Sequence, residues 1–260
     1  MQLIDIGANL THPAFHGDLE GVLSSARAAG VQKMIVTGTS VQESTAALAL
    51  AKSHEDLFCT AGVHPHHARE CDQTTISALR VLAQQSKVVA IGECGLDFNR
   101  NYSPHPDQEK WFEAQVDLAI ELQKPLFLHS RDAFSSFFNL LKRKKNLPPS
   151  VAHCFTGEKV ELRAYLDLGL HIGITGWICD ERRGAHLLEL VREIPADKLM
   201  LETDSPYLTP RDLHRQPKAR RNEPSHLPHI LRTVARALGK PAGQVAEETT
   251  RNARGFFGLP

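Results

Sequence analysis

Short apolar runs rich in Val, Ile and Leu recur along this chain, each followed by a longer stretch in which apolar residues return at helical spacing. The runs over 2–6, 33–37, 57–63, 88–97, 126–129, 151–153, 170–175 and 199–202 predict strands buried on both faces. Between them, 18–29, 42–54, 74–85, 107–122, 133–144, 158–168 and 185–192 predict amphipathic helices, and 227–238 predicts a closing one. Strands that alternate with helices lie parallel, because each connection must cross back over the sheet. Eight such repeats in about 250 residues match a closed (β/α)8 TIM barrel better than an open doubly wound sheet. No Gly-x-Gly-x-x-Gly follows the first strand, which weakens a dinucleotide-binding fold. The expectation is α/β, with residues 1–260 as one domain.

Active sites of α/β barrels gather where the strands end. The fourth strand, Val88-Val89-Ala90-Ile91-Gly92-Glu93, runs into a carboxylate, while Leu126-Phe127-Leu128-His129 and Val151-Ala152-His153 each end on an imidazole. A carboxylate at the end of a buried strand is costly unless it meets a basic group, a metal ion or water. Because side chains alternate faces, Glu93 shares the face of Val89 and Ile91, His129 that of Phe127, and His153 that of Val151. All three ligands therefore point inward together, with Cys94 and Cys154 turned toward the helix layer. On the eighth strand, Asp204 closes the run from Leu199, and Glu202, of the same parity, fits beneath it as a supporting partner. One Glu, two His and one Asp make a hard, oxygen-rich set that suits magnesium, manganese or zinc.

Composition narrows the remaining classes. No apolar run is long enough to cross a membrane, and the start Met1-Gln2-Leu3-Ile4-Asp5 lacks a signal peptide's basic and apolar regions, so the cytoplasm is the expected compartment. The five cysteines include no Cys-x-x-Cys pair, which argues against a disulfide framework and a thiolate zinc knuckle. With formal net charge zero, nucleic-acid binding would rest on a local basic patch. Fourteen histidines invite a metal reading.

Several motifs together carry a family resemblance: Asp5-Ile6-Gly7-Ala8-Asn9-Leu10, Ala61-Gly62-Val63-His64-Pro65-His66, Ile91-Gly92-Glu93-Cys94-Gly95-Leu96-Asp97, His153-Cys154-Phe155-Thr156-Gly157 and Glu202-Thr203-Asp204-Ser205-Pro206-Tyr207. Gly173-Ile174-Thr175-Gly176-Trp177 and Arg221-Asn222-Glu223-Pro224 extend it almost end to end. The chain closely resembles the TatD family of metal-dependent deoxyribonucleases. The resemblance implies an amidohydrolase-type barrel and a divalent-metal nuclease with Glu93, His129 and His153 as metal ligands and Asp204 as ligand or base. Many relatives carry a His-x-His pair after strand one, where this chain has Gly7 and Asn9. A first metal position here would keep only Glu93, Asp204 and the Asn9 amide oxygen, which favours water-rich magnesium; one ion or two are both compatible.

Other candidates lie near the predicted mouth. His64 and His66 suit a phosphate or a second metal, and Arg131 suits a phosphate oxygen. The segment 203–224 is long and rich in Pro and Arg, so Arg211, Arg215, Arg220 and Arg221 are candidates for a nucleic-acid backbone, with Arg182 and Arg183 on the preceding loop. Tyr207 and Trp177 are candidate stacking faces, each weighed against a core role. Lys142-Arg143-Lys144-Lys145 reads instead as the solvated end of a helix. The expected reaction is phosphodiester hydrolysis, with Asp204 accepting a proton and Glu93 holding the cation. The resemblance suggests 3′-5′ exonuclease action on single-stranded DNA, with RNA as a second substrate, by a monomer serving DNA repair or degradation. The rivals are a metal-dependent ester or amide hydrolase, such as a D-aminoacyl-tRNA deacylase, and a scaffold without activity.

Overall fold

The computed structural model describes residues 1–214 and 221–260. The elements follow in order as β1 (Leu3–Ala8), α1 (Leu19–Ala28), β2 (Val31–Val36), α2 (Val41–Ser53), β3 (Leu57–Ala61), α3 (Thr75–Ala83), β4 (Val88–Asp97) and α4 (His105–Leu122). Then come β5 (Leu126–Arg131), α5 (Phe134–Arg143), β6 (Ser150–Ala152), α6 (Lys159–Asp167), β7 (His171–Ile174), α7 (Leu187–Leu190), β8 (Leu199–Leu201), α8 (Leu227–Leu238) and α9 (Ala242–Phe257). The strands form one eight-stranded sheet in chain order, and Ala8 pairs in parallel with Ser205 just after β8. This is the expected eight-stranded α/β barrel.

The chain divides into two compact units. The first comprises Met1–Val36, Cys154–Lys159 and Ile172–Pro260, and so contains β1, β2, β8 and most of β7. Its helix α8 buries Leu227, Ile230, Leu231 and Val234, spaced one helical turn apart, and stops at Gly239 in the left-handed conformation (φ 65°). The second comprises Thr37–His153 and Val160–His171, with β3 to β6. Here Ser40 caps α2 by accepting the N–H of Glu43 (3.0 Å), and Phe112 of α4 stacks on Phe137 of α5 with centroids 5.3 Å apart. Fully burying each of these rings contributes about 1.5–3 kcal/mol.

Among the departures from the sequence pattern are the end of β3, the length of α7 and an added helix. β3 ends at Ala61 rather than residue 63, because the chain next passes β4 at a glycine: a Cβ on Gly62 would lie 2.5 Å from the Gly92 backbone. The expected helix over 185–192 is only α7, followed by a 3-10 turn at Val191–Glu193. Helix α9 had no counterpart in the prediction, since its buried face mixes Val245, Ala246 and Phe256 with Thr249, Thr250 and Asn252.

Candidate metal centre

All ten residues of β4 are buried, and Glu93 enters the second unit's interior as a carboxylate. Its Oε1 lies 2.9 Å from His129 Nδ1 on β5, 2.7 Å from His153 Nε2 just past β6, and 3.4 Å from His64 Nε2 just past β3. Three strands thus deliver three imidazoles to one oxygen, as parity and strand ends predicted for His129 and His153. His64 is the addition. Burial pushes the Glu93 carboxyl up, but His153 and His64, with hydrogen bonds from His129 and His153, together hold it well below the ordinary range. Burial takes His64 down to about 4 against the pull of Glu93, so its ring is neutral.

His64, Glu93 and His129 have ligand atoms within 4.8 Å of one another, a spacing that one divalent cation bridges. His129 Nε2 is buried with no hydrogen-bond partner among the described residues. A crowded carboxylate oxygen beside an orphaned imidazole nitrogen is a donor set that fits a cation. His64 differs from the other two rings, because its Nδ1 accepts the N–H of His66 (3.1 Å). The neutral ring then carries its proton on Nε2 and directs it toward Glu93 (3.4 Å), which sets His64 apart from His129 and His153.

Asp97 is a site residue that sequence reasoning quoted but did not use. Buried at the end of β4, it accepts from His66 Nε2 (2.7 Å) and from the N–H groups of Asn99 (3.0 Å) and Arg100 (2.9 Å), and it lies 3.6 Å from His129 Nε2. Burial pushes this carboxyl up, yet the facing His129 imidazole and the hydrogen bonds from His66 and Arg100 leave it far below the ordinary range. Its signal was parity: four residues after Glu93 it shares that face. His66 thus serves Asp97. Two buried glutamines of α4 hold the strand ends in place as a neighbouring strand would. Gln115 accepts from Val63 N–H (2.7 Å) and donates to Val63 O (3.1 Å), while Gln108 does the same for Asp97 (2.9 and 3.1 Å).

The first unit assembles a second set. Asn9 Nδ2 donates to Asp204 Oδ1 (3.0 Å) and Ser205 O (3.3 Å), so its amide nitrogen is committed to the carboxylate. Asp204 adopts φ 55° and donates its N–H to Gly7 O (2.8 Å). Below it, Asp5 accepts from Thr203 N–H (2.9 Å), Thr203 Oγ1 (2.5 Å) and Gly7 N–H (3.3 Å). Glu202 is fully buried and accepts the N–H of Cys154 (2.5 Å), the peptide directly after His153. It therefore braces the turn that follows His153, a different contact from the support beneath Asp204 that its parity suggested.

Among the arginines, Asp180 gathers three: Arg183 Nε at 3.0 Å, Arg182 Nε at 3.4 Å and Arg211 Nε at 3.6 Å. Burial raises this carboxyl, but Arg182 and Arg183 take it down to about 2. Arg183 also lies over Trp177, 4.3 Å from the ring centroid. Arg221 is engaged in structure, donating to both carboxylate oxygens of Asp18 (2.8 and 2.7 Å) and to Glu223 (2.7 Å). Tyr207 is exposed, edge-on to His12 at 5.5 Å. Arg131 ends β5, half-buried, and its carbonyl accepts the N–H of Phe98 (2.9 Å). Arg215 and Arg220 lie outside the described residues.

A family model described as TatD related DNase matches residues 4–258. A Pantoea ananatis protein named 3'-5' ssDNA/RNA exonuclease TatD is 53% identical over 260 residues, covering 99% of this chain and 100% of its own. A Rahnella protein of the same name is 54% identical over 260 residues, at 99% and 98% coverage. Among solved structures, a TatD homologue from Escherichia coli K12 aligns with TM-score 0.91 and 29% identity over 99% of this chain and 98% of its own. A dihydroorotase aligns with TM-score 0.64 at 12% identity, over 100% of this chain and 72% of its own, and shares the fold alone. Agreement over almost the whole length, in a barrel whose strands deliver a carboxylate and imidazoles to one point, makes this chain a member of the TatD related DNase family.

Proposed function

We propose that this protein is a divalent-metal-dependent 3′-5′ exonuclease that hydrolyses phosphodiester bonds of single-stranded DNA, and also of RNA, in DNA repair or degradation. The observation that carries the reading is the convergence of His129, His153 and His64 on Glu93 Oε1, in a family whose curated members bear that activity in their names. Glu93, His129 and His153 would hold the cation, with Asp204 as a further ligand or as the base. A bound divalent ion supplies Lewis acidity toward a phosphate oxygen and lowers the pKa of water. Magnesium is supported by the oxygens of Glu93 and Asp204, and manganese or zinc by the imidazoles.

The chain's own residues divide the remaining work. His64 hydrogen-bonds Glu93 and keeps its carboxylate turned toward the imidazoles. Asp97 orients His66 and faces His129, as carboxylates commonly do for metal-binding histidines. Asn9 directs Asp204 Oδ1 by an N–H, which orients the carboxylate proposed as ligand or base. Arg182, Arg183 and Arg211 outnumber the carboxylates of Asp180 and Glu181 that they face, which suits the backbone of a nucleic acid that the uncharged whole does not attract. Trp177 and Tyr207 offer base-stacking faces. Arg131 and His66 are proposed phosphate contacts, Arg221 a more remote one, and the protein is proposed to work as a cytoplasmic monomer.

The test offers purified protein and magnesium or manganese to single-stranded DNA labelled at one end or the other. Wild type should shorten the 5′-labelled strand stepwise, and Glu93→Ala and Asp204→Ala should each lose at least about 100-fold in kcat/KM. Equal cleavage by all three proteins would assign the nuclease to a contaminant. Release of an aminoacyl group from transfer RNA with no cleavage of DNA would move the same site to ester hydrolysis.

A further inference from the structure

A second group of metal-type donors lies in the first unit and shares no residue with the Glu93 cluster. Cys179 comes from the 3-10 turn Gly176–Cys179 after β7, Asp212 from the long loop after β8, and His229 from the first turns of α8. Their ligand atoms all lie within 4.8 Å of one another, with His229 Nε2 2.6 Å from Asp212 Oδ1. One sulfur, one nitrogen and one oxygen at that spacing match the tetrahedral preference of zinc, with a water to complete it. Hard magnesium would avoid the sulfur.

We propose that Cys179, Asp212 and His229 form a zinc site that staples the loop after β8 to α8 and to the turn after β7. The surroundings suit a coordinated thiolate. Thr233 Oγ1, one helical turn beyond His229, lies 3.5 Å from Cys179 Sγ, so its hydroxyl can donate to the sulfur once the thiol proton has left. Arg236, one turn further along α8, adds a positive charge that favours the thiolate. Burial pushes the metal-free thiol up to about 12, with Asp212 adding to the rise, so the cysteine enters as a thiol and zinc displaces its proton to solvent.

The staple bears on the arginine cluster. Cys179 precedes Asp180, and Asp212 follows Arg211, so the ion pair between Arg211 and Asp180 (3.6 Å) joins the same two loops one residue away. Zinc would fix the spacing of those loops and with it the place of Arg211. The site thus organises the basic cluster without contributing a group to hydrolysis.

Cobalt replacing zinc in the full chain tests this, because only a cysteine ligand produces a thiolate-to-cobalt charge-transfer band in the near ultraviolet. Wild type and Glu93→Gln should both show the band at saturation. Cys179→Ser and His229→Gln should lose it and bind this equivalent of metal more than about 100-fold more weakly, since losing a ligand exceeds the 10- to 100-fold cost of losing a supporting partner. Zinc bound per chain should fall by one equivalent in both. Should Cys179→Ser fail to fold, His229→Gln, at a partly exposed position, decides alone. A wild type that shows no band at saturating cobalt, or a band that survives in a folded variant, overturns the site.

Discussion

Asp5 has no access to solvent and lies under three donors, so exchanging it for Asn changes stability in a way that depends on pH. Burial pushes its carboxyl from 3.8 up to about 7, against the hydrogen bonds from Thr203 and Gly7 and with the help of the Glu202 charge. In the window between those values the unfolded chain has released the proton and the folded chain still holds it. The folded state then binds more protons, so stability falls as pH rises. Across the whole window the loss reaches about 4 kcal/mol, three pH units at about 1.4 kcal/mol each. An Asn at this position does not ionise, yet its oxygen accepts the Thr203 N–H and its amide donates to the Thr203 hydroxyl. Urea titrations of wild type and Asp5→Asn at about pH 5 and about pH 8 should therefore show the difference shifting in favour of Asn at the higher pH, by roughly 2–3 kcal/mol. Asp5→Ala, which strands both Thr203 donors, should be destabilised by about 2–6 kcal/mol at either pH. A wild-type advantage that grows with pH would refute the reasoning. It would mean that three donors outweigh burial and that Asp5 is ionised in the fold.

Gln115→Leu strands the buried N–H and C=O of Val63, next to His64, so it should cost about 2–5 kcal/mol in urea and also weaken manganese binding measured by calorimetry. Manganese affinity should rise with pH through the His129 titration, because a protonated ring cannot be a ligand: burial lowers its pKa, but Asp97 and Glu93 together raise it above the ordinary value. Asp97→Asn should move that rise to lower pH, and an affinity equal at about pH 6 and about pH 8 would remove His129 from the ligand set. Arg221→Ala loses its bonds to Asp18 and Glu223 at the surface, so its melting temperature should fall slightly at low salt and approach wild type at high salt, with manganese binding unchanged.

How far the site was legible depended on what kind of signal each residue leaves. Glu93 and His129 could be read because a charged or polar residue in an otherwise apolar strand violates the local pattern, and the period of two fixes its face. His153 followed by the same logic one residue past β6. His64 and Asp97 left the same kind of mark, yet their connection to Glu93 depends on distances between strands that no single stretch records. Gln108 and Gln115 look like ordinary positions of an amphipathic helix. Their role appears only when α4 lies against the ends of β3 and β4. Arg221 shows the converse, since a basic residue in a loop reads as a substrate contact until Asp18 and Glu223 are found to hold it.

The alternation of short β-branched runs with helical periods is a local property, so the chain alone determined eight parallel strands, their order and the end where polar side chains would collect. Pairings between distant residues were decided by tertiary structure, because they depend on which loops meet. Glu93 with three imidazoles, Asn9 with Asp204, and Cys179 with Asp212 and His229 are separated by 29 to 195 positions in sequence, beyond the reach of any periodic pattern. The weak apolar contrast of α9, with Thr and Asn on its buried face, became a helix for the same reason: packing against β1 and β8 supplied what its own sequence did not declare.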